Sequence, residues 1–164
     1  MIGPAIAVRR RMTTVSTRFF GECEYSPEDV YSFPSGIPGF EDQHLFLFLK
    51  MPEAEPLLFL QSLRDRNLCF ILLPVQVLDR EFQLRLTSEE RLELQLPPDR
   101  QPQIGVEVLC AGLICSGVES GPTANLMAPI VINLENRRGM QVIQVDSGYS
   151  CHHTICFEES VATC

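Results

Sequence analysis

Short apolar runs, each stopped by a turn signal, leave this chain few folds to choose from. Val15–Phe20 is β-branched and aromatic and breaks at Gly21; Val30–Phe33 stops at Pro34, and Leu68–Leu73 stops at Pro74. His44–Leu49 and Leu57–Gln61 flank the turn Met51-Pro52-Glu53. Val106–Cys115, Ile130–Leu134 and Met140–Val145 are rich in Val, Ile and Leu, and Asn136-Arg137-Arg138-Gly139 reads as a hairpin turn between the last two. About eight or nine short strands with tight connections leave no room for helical crossovers. The expectation is an all-β, mainly antiparallel domain, a small barrel or sandwich with one short helix. That helix begins at Thr87-Ser88-Glu89-Glu90, which spells a capping box. Before it, Phe82-Gln83-Leu84-Arg85-Leu86 alternates as a half-buried strand does. Pro97–Pro102 reads as a loop.

At 164 residues the chain suits one domain with a real core. No run of apolar residues is long enough for a transmembrane helix, and in residues 1–12 the apolar part precedes the basic part, the reverse of a secretory signal. We read 1–12 as a disordered extension, 13–150 as the barrel domain and 151–164 as a flexible tail holding Cys and His, in a cytoplasmic protein expected to be a monomer. The net charge is −8, but Arg9, Arg10, Arg11 and Arg18 supply four of the 13 basic residues. The rest sets 9 basic against 21 acidic residues, or −12. Such a surface repels phosphate backbones, so direct nucleic-acid binding is not expected, while a basic protein would be attracted. Solubility alone also explains the acidity.

Chemistry for catalysis is missing from the pattern. There is no Gly-rich loop ending in Lys-Ser/Thr, no His-Glu-x-x-His and no Gly-x-Ser-x-Gly. His44 lies in an apolar run, and Glu41-Asp42, Glu89-Glu90 and Glu158-Glu159 are adjacent pairs that suit a solvated face. Cys151, His152, His153 and Cys156 are zinc-compatible by type. Residues five apart on a strand point to opposite faces, which separates Cys151 from Cys156 and Cys110 from Cys115. The reading is therefore no catalytic residue, no cofactor and no metal site, with reduced thiols and Cys69 and Cys110 packed as small hydrophobes.

Two stretches carry the specific signal. In Phe33-Pro34-Ser35-Gly36-Ile37-Pro38-Gly39-Phe40-Glu41, Pro34 and Pro38 fix φ and Gly36 and Gly39 permit turns. A stiff loop should result, presenting Ile37 and Phe40 in defined directions. Either Phe33 and Phe40 are core plugs flanking a turn, or Ile37 and Phe40 rim an apolar patch for a partner. In Thr123-Ala124-Asn125-Leu126-Met127-Ala128-Pro129-Ile130-Val131-Ile132-Asn133, Asn125 suits a turn held by its amide. Pro129 is expected at a strand start or an edge, where free backbone groups form a rail for another chain, or where structure alone requires it. The candidate contact or shaping residues are Phe33, Pro34, Gly36, Ile37, Pro38, Gly39 and Phe40, with Thr123, Asn125, Pro129 and Asn133.

At these residues the chain resembles the bacterial flagellar assembly factor FliW family. The likeness extends through Ser16–Glu22, Asp29–Pro34, Leu60-Gln61-Ser62, Phe70–Pro74, Gly139–Ile143 and Ser147–Ser150, in order. The resemblance implies a small barrel-like domain without catalytic activity and two protein partners. One is CsrA, the basic RNA-binding repressor of flagellin translation; the other is flagellin itself. It implies antagonism of CsrA from a surface away from its RNA site, relieved when new flagellin takes up the antagonist. Residues 1–12, the span 97–103 and the tail from Cys151 have no clear counterpart. Two other classes stay open: a small-molecule-binding barrel, recognised by polar groups converging on an interior cavity, and a metal- or redox-responsive sensor using the tail.

Overall fold

The computed structural model describes residues 11–117 and 119–156. Most of the expected N-terminal extension and the tail beyond Cys156 lie outside the described residues. Strands β1 (Thr13–Thr17) and β2 (Gly21–Tyr25) form a separate hairpin. Gly21 opens β2 at φ 68°, and the Thr17 hydroxyl donates to its carbonyl at 2.9 Å. The chain continues through β3 (Val30–Ser32), β4 (Leu45–Leu49), β5 (Leu58–Ser62) and β6 (Cys69–Pro74). Two short helices follow, α1 (Val75–Leu78) and α2 (Ser88–Glu93), where the sequence led us to expect only the second. The last strands are β7 (Val108–Gly117), β8 (Gly121–Asn133), β9 (Gly139–Gln141) and β10 (His153–Thr154).

All ladders are antiparallel, and β3 to β8 pair in chain order. On its other edge β8 pairs with β9 through Ile130–Ile132 and with β10 through Thr123 and Ala124. A register shift makes both pairings possible. Ala111 of β7 faces Ile130 and Leu113 faces Asn125, so Leu126–Pro129 bulge out opposite Gly112 alone. Pro129 therefore lies inside β8, at the bulge, and not at a strand start or edge. Its strand has neighbours on both sides, so the backbone rail expected there does not exist. The stretch from Cys151, read as flexible, begins instead with strand pairing to β8, and Ile155 is buried beside Leu73 and Ala124.

The ends of the sheet meet. Ser32 bridges Arg138, and the Ser32 amide donates to the Arg137 carbonyl at 2.9 Å. This seam nearly closes a barrel of β3 to β9. Its interior is filled by Phe33, Ile37, Phe46, Leu60, Leu72, Ala111, Ile130 and Ile132, all apolar. A small-molecule site of converging polar groups is not what lines it. Alternation in β7 and β8 sends Val108, Cys110 and Val131 outward into a second core with Val75, Phe82, Leu84, Leu86, Leu94 and Leu96. Both faces of the β7–β8 ladder are thus buried where Val108–Ala111 pairs with Ile130–Asn133, which explains the apolar runs there.

The segment Phe82–Leu86 buries Phe82, Leu84 and Leu86 as its alternation predicts, yet it is not a ladder strand. Glutamine side chains take the place of neighbouring strands. The Arg85 amide donates to Gln144 Oε1 at 2.9 Å, and Gln144 Nε2 donates to the Arg85 carbonyl at 3.1 Å. Gln101 does the same for Leu86, at 2.8 and 2.9 Å. The Tyr149 hydroxyl accepts from the Gln83 amide at 2.9 Å while its ring stacks on Phe82. Beyond Leu86 the capping box forms as spelled: Glu90 N–H donates to Thr87 Oγ1 and Thr87 N–H to Glu90 Oε2.

The loop that carries Gln101 is pinned by Glu107. Its carboxylate accepts both Arg100 amino groups, at 2.8 and 2.6 Å, and the Gln103 amide at 2.8 Å. The Arg100 hydrogen bonds first, then the Gln103 amide, hold the Glu107 carboxyl at about 2, against an ordinary 4.5. A depressed carboxyl stabilises the fold above its unfolded value and loses that contribution as pH falls toward its folded value. Glu107→Gln should therefore lower the melting temperature at neutral pH, and the gap to the parent should close as pH drops from 4.5 to about 2. A second prediction concerns the seam. A Cβ on Gly139 would lie 2.5 Å from Phe33 Cζ. Gly139→Ala should cost about 1–3 kcal/mol by overpacking, read from urea unfolding.

Candidate partner-binding surface

The first signature stretch is a folded plug. The Phe33 amide donates to the His44 carbonyl at 2.8 Å, and His44 Nδ1 lies 3.0 Å from the Phe33 carbonyl. Gly36 N–H donates to Phe33 O at 2.9 Å, and Phe40 N–H to Ile37 O at 2.6 Å. Gly36 has φ 70°, and a Cβ there would sit 2.6 Å from the Glu41 Cα, so no other residue fits. These turns send Phe33 and Ile37 into the barrel. Ile37 is 1% exposed and cannot rim a surface patch, which corrects that expectation. Phe40 is 40% exposed and packs edge-on against Phe70, so it is not a core plug either. Pro34, Pro38 and Gly39 face solvent around it.

Helix α2 docks beside this plug. Ser35 Oγ donates to Glu93 Oε1 at 2.6 Å. From the β8–β9 turn, Asn133 Nδ2 donates to the Leu94 carbonyl at 2.9 Å and Arg138 Nε to the Glu93 carbonyl at 2.9 Å. Asn136 Nδ2 reaches Gln95 Oε1 at 3.0 Å. The free carbonyls at the end of α2 are thus capped by side chains about forty residues away. Asn133, buried, is a joint between elements and not an exposed contact. So the structure brings the 33–40 loop and Asn133 together around α2. It leaves Thr123, Asn125 and Pro129 on another part of β8. There Asn125 Oδ1 accepts from the Ala128 amide at 2.9 Å and shapes the bulge, and Thr123 lies between Cys115 and Thr154.

Helix α2 exposes one large apolar residue and is otherwise acidic. Leu92, on α2, is 78% exposed and precedes the Glu93 that Ser35 holds. Glu89, Glu90 and Glu93 share α2 with it, and Glu41 and Asp42 follow the loop that Ser35 ties to Glu93. The Gly39 amide, then Glu41's own amide, hold the Glu41 carboxyl below the usual carboxylate range, so its charge persists. The one cation of α2, Arg91, is turned inward onto the carbonyls of Leu86 and Pro98 at 2.6 and 3.0 Å.

Sequence reasoning gave no site role to Leu92, Arg91, Arg138 or the buried amide knot of Gln43, Ser62 and Gln61. Ser62 Oγ donates to Gln43 Oε1 at 2.6 Å and accepts the Arg64 and Asp65 amides, fixing the β5–β6 turn next to the plug. A signal existed for Leu92: it falls on the polar side of a capped helix. Among the described residues no group of three or more His, Cys, Asp or Glu is placed to hold a metal ion. Burial raises the Cys69 thiol to about 11 and the Cys110 thiol to about 12, as inert packed thiols. No helix is long and apolar enough among these residues to cross a membrane.

A filled, nearly closed antiparallel barrel with two short helices defines the class of fold. The comparisons specify the family. Residues 14–155 match the model of the family described as FliW protein. The chain is 38% identical over 143 residues to the flagellar assembly factor FliW of Bacillus pumilus, covering 86% of this chain and 94% of that protein. It is 35% identical over 152 residues to the FliW of Desulfitobacterium hafniense, covering 93% and 95%, and 33% identical over 143 residues to that of Bacillus subtilis, covering 86% and 95%. A crystal structure of the flagellar assembly factor FliW superposes with TM-score 0.76 at 28% identity, over 90% of this chain and 99% of that one. The chain belongs to the FliW family, a family of non-enzymatic flagellar assembly factors.

The packing separates Ile37 from Phe40 experimentally. Ile37→Asp places an unpaired charge in the barrel and should cost more than about 3 kcal/mol, enough to lower the melting temperature sharply. Phe40→Ser should shift it by only a few degrees. Equal shifts for the two would contradict the assignment of one side chain to the core and the other to the rim.

Proposed function

We propose that this chain is a cytoplasmic, monomeric antagonist of CsrA that also binds flagellin, and so couples flagellin synthesis to filament assembly. Binding of CsrA and flagellin is the general FliW role. The observation that carries the reading for this chain is the α2 contour. Leu92 on α2 and Phe40 on the loop tied to α2 through Ser35 are exposed apolar anchors, and the acidic residues of α2 complement a basic partner such as CsrA. The loop 33–40 and the β8–β9 turn serve as the shaping elements that hold this contour. Antagonism then needs only that CsrA and flagellin disfavour each other on the same chain, a coupling of about 1–3 kcal/mol.

The test is calorimetry of the purified chain with CsrA and with flagellin from the same host. The parent should bind each. Glu89→Lys and Leu92→Asp, both on exposed positions, should weaken CsrA at least tenfold without lowering the melting temperature, and the Glu89 variant should also flatten the salt dependence. Capture of neither partner by the parent chain would sink the function; unchanged affinity in both variants would move CsrA to another face.

A further inference from the structure

The signature loop plugs one end of the barrel, where the Phe33 amide bonds to His44 just ahead of β4. The other end, where β4 finishes, stays open. There a further ring of side chains surrounds a cup of about 350 Å³. The ring is Tyr31, Phe48, Leu58, Pro74, Leu109 and Leu134. Strand alternation produces it: the last five lie two residues from Phe46, Leu60, Leu72, Ala111 and Ile132, which fill the barrel below. The rim is preformed. Leu134 N–H donates to the Glu107 carbonyl at 3.0 Å, and Gly105 N–H, also at the rim, donates to the Val108 carbonyl at 2.8 Å. The lining holds no carboxylate and two polar side-chain groups, the Tyr31 hydroxyl and the ammonium of Lys50, the chain's only lysine. Neither group has a hydrogen-bond or ion-pair partner among the described residues.

We propose that this cup binds a small amphipathic monocarboxylate, its apolar body within the ring and its carboxylate at Lys50 and the Tyr31 hydroxyl. The wall gains from any apolar body that displaces water from it. The sign of the head group is set by Lys50, because a carboxylate gains a charge-assisted hydrogen bond there and a cation is repelled. The size favours a small molecule: a cup of this volume lies at the small end of ligand pockets and cannot admit a helix. An adjoining cleft shares Tyr31, Phe48 and Lys50 and adds Arg137 with Glu24, Glu28 and Asp29. Its carboxylates disfavour an anion, so the head group sits on the cup side of Lys50. The site does not rest on the identity of the partners proposed above.

The test titrates the full chain with octanoate, octanol and octylammonium and reads methyl shifts by NMR. Octanoate should move the methyls of Leu58, Leu109 and Leu134 and leave those of Leu94 and Leu96, in the outer core, in place. It should bind about tenfold tighter than octanol, and octylammonium should bind most weakly. Lys50→Met should make octanoate and octanol equal, and Lys50→Glu should reverse the order in favour of octylammonium. Lys50 is exposed, so both variants should keep the parent melting temperature. Leu134→Trp, at the exposed rim, should fill the cup and block all three probes. The proposal is overturned if octanoate leaves the ring methyls unmoved, if octanol binds the parent equally well, or if neither Lys50 variant changes the order. It is also overturned if Leu134→Trp loses CsrA or flagellin while the parent ignores octanoate, which means that a partner's side chain fills the cup.

Discussion

The tip of the Phe33 ring abuts the bare backbone of Gly139, and the barrel closes where they touch. The hydrogen bond from Ser32 to Arg137 and the bridge to Arg138 follow from that approach. So does the direction of the signature loop, because a Phe33 seated at the seam obliges Gly36 to turn at once against Glu41. Buried apolar area supplies the drive, but any large apolar residue would supply that. What Phe33 and Gly139 add is registration of the first strand of the barrel against its last.

Side-chain amides do the work of missing strands. Gln101 and Gln144 each offer a donor and an acceptor at the spacing of a peptide group, and so satisfy both backbone groups of one residue. At the end of α2 the amides act as donors only: Asn133 Nδ2 donates to the Leu94 carbonyl and Asn136 Nδ2 to the Gln95 side-chain oxygen. These joints let a short helix and an irregular connection cover the outer face of β7 and β8 without leaving most of their polar groups unpaired. They also place α2 beside the signature loop, which is where the acidic, partly apolar contour arises. Family membership gives the role; these joints give the surface on which this chain can perform it.

Much of the strand set was legible because Pro and Gly punctuate it, and the α2 start was legible because a capping box needs only local residues. The alternation of Phe82–Leu86 was also legible, yet it reports burial and not a neighbour. Nothing in the residues themselves shows that two glutamines, 15 and 59 residues on, would stand in for strands. Ile37 and Phe40 sit in the same rigid loop, and their opposite fates depend on the positive φ of Gly36 and on room inside the barrel. Pro129 looked like an edge residue because proline cannot serve a ladder; a bulge meets the same requirement inside a strand.

The sequence by itself therefore determined an all-β chain with stiff loops, an acidic body and the FliW pattern, since propensity, turn chemistry and charge are local or additive properties. Only the tertiary structure decided which apolar residues face inward and which amides join distant elements. Those outcomes depend on long-range approach, where a single Cβ or a shift in register changes the answer.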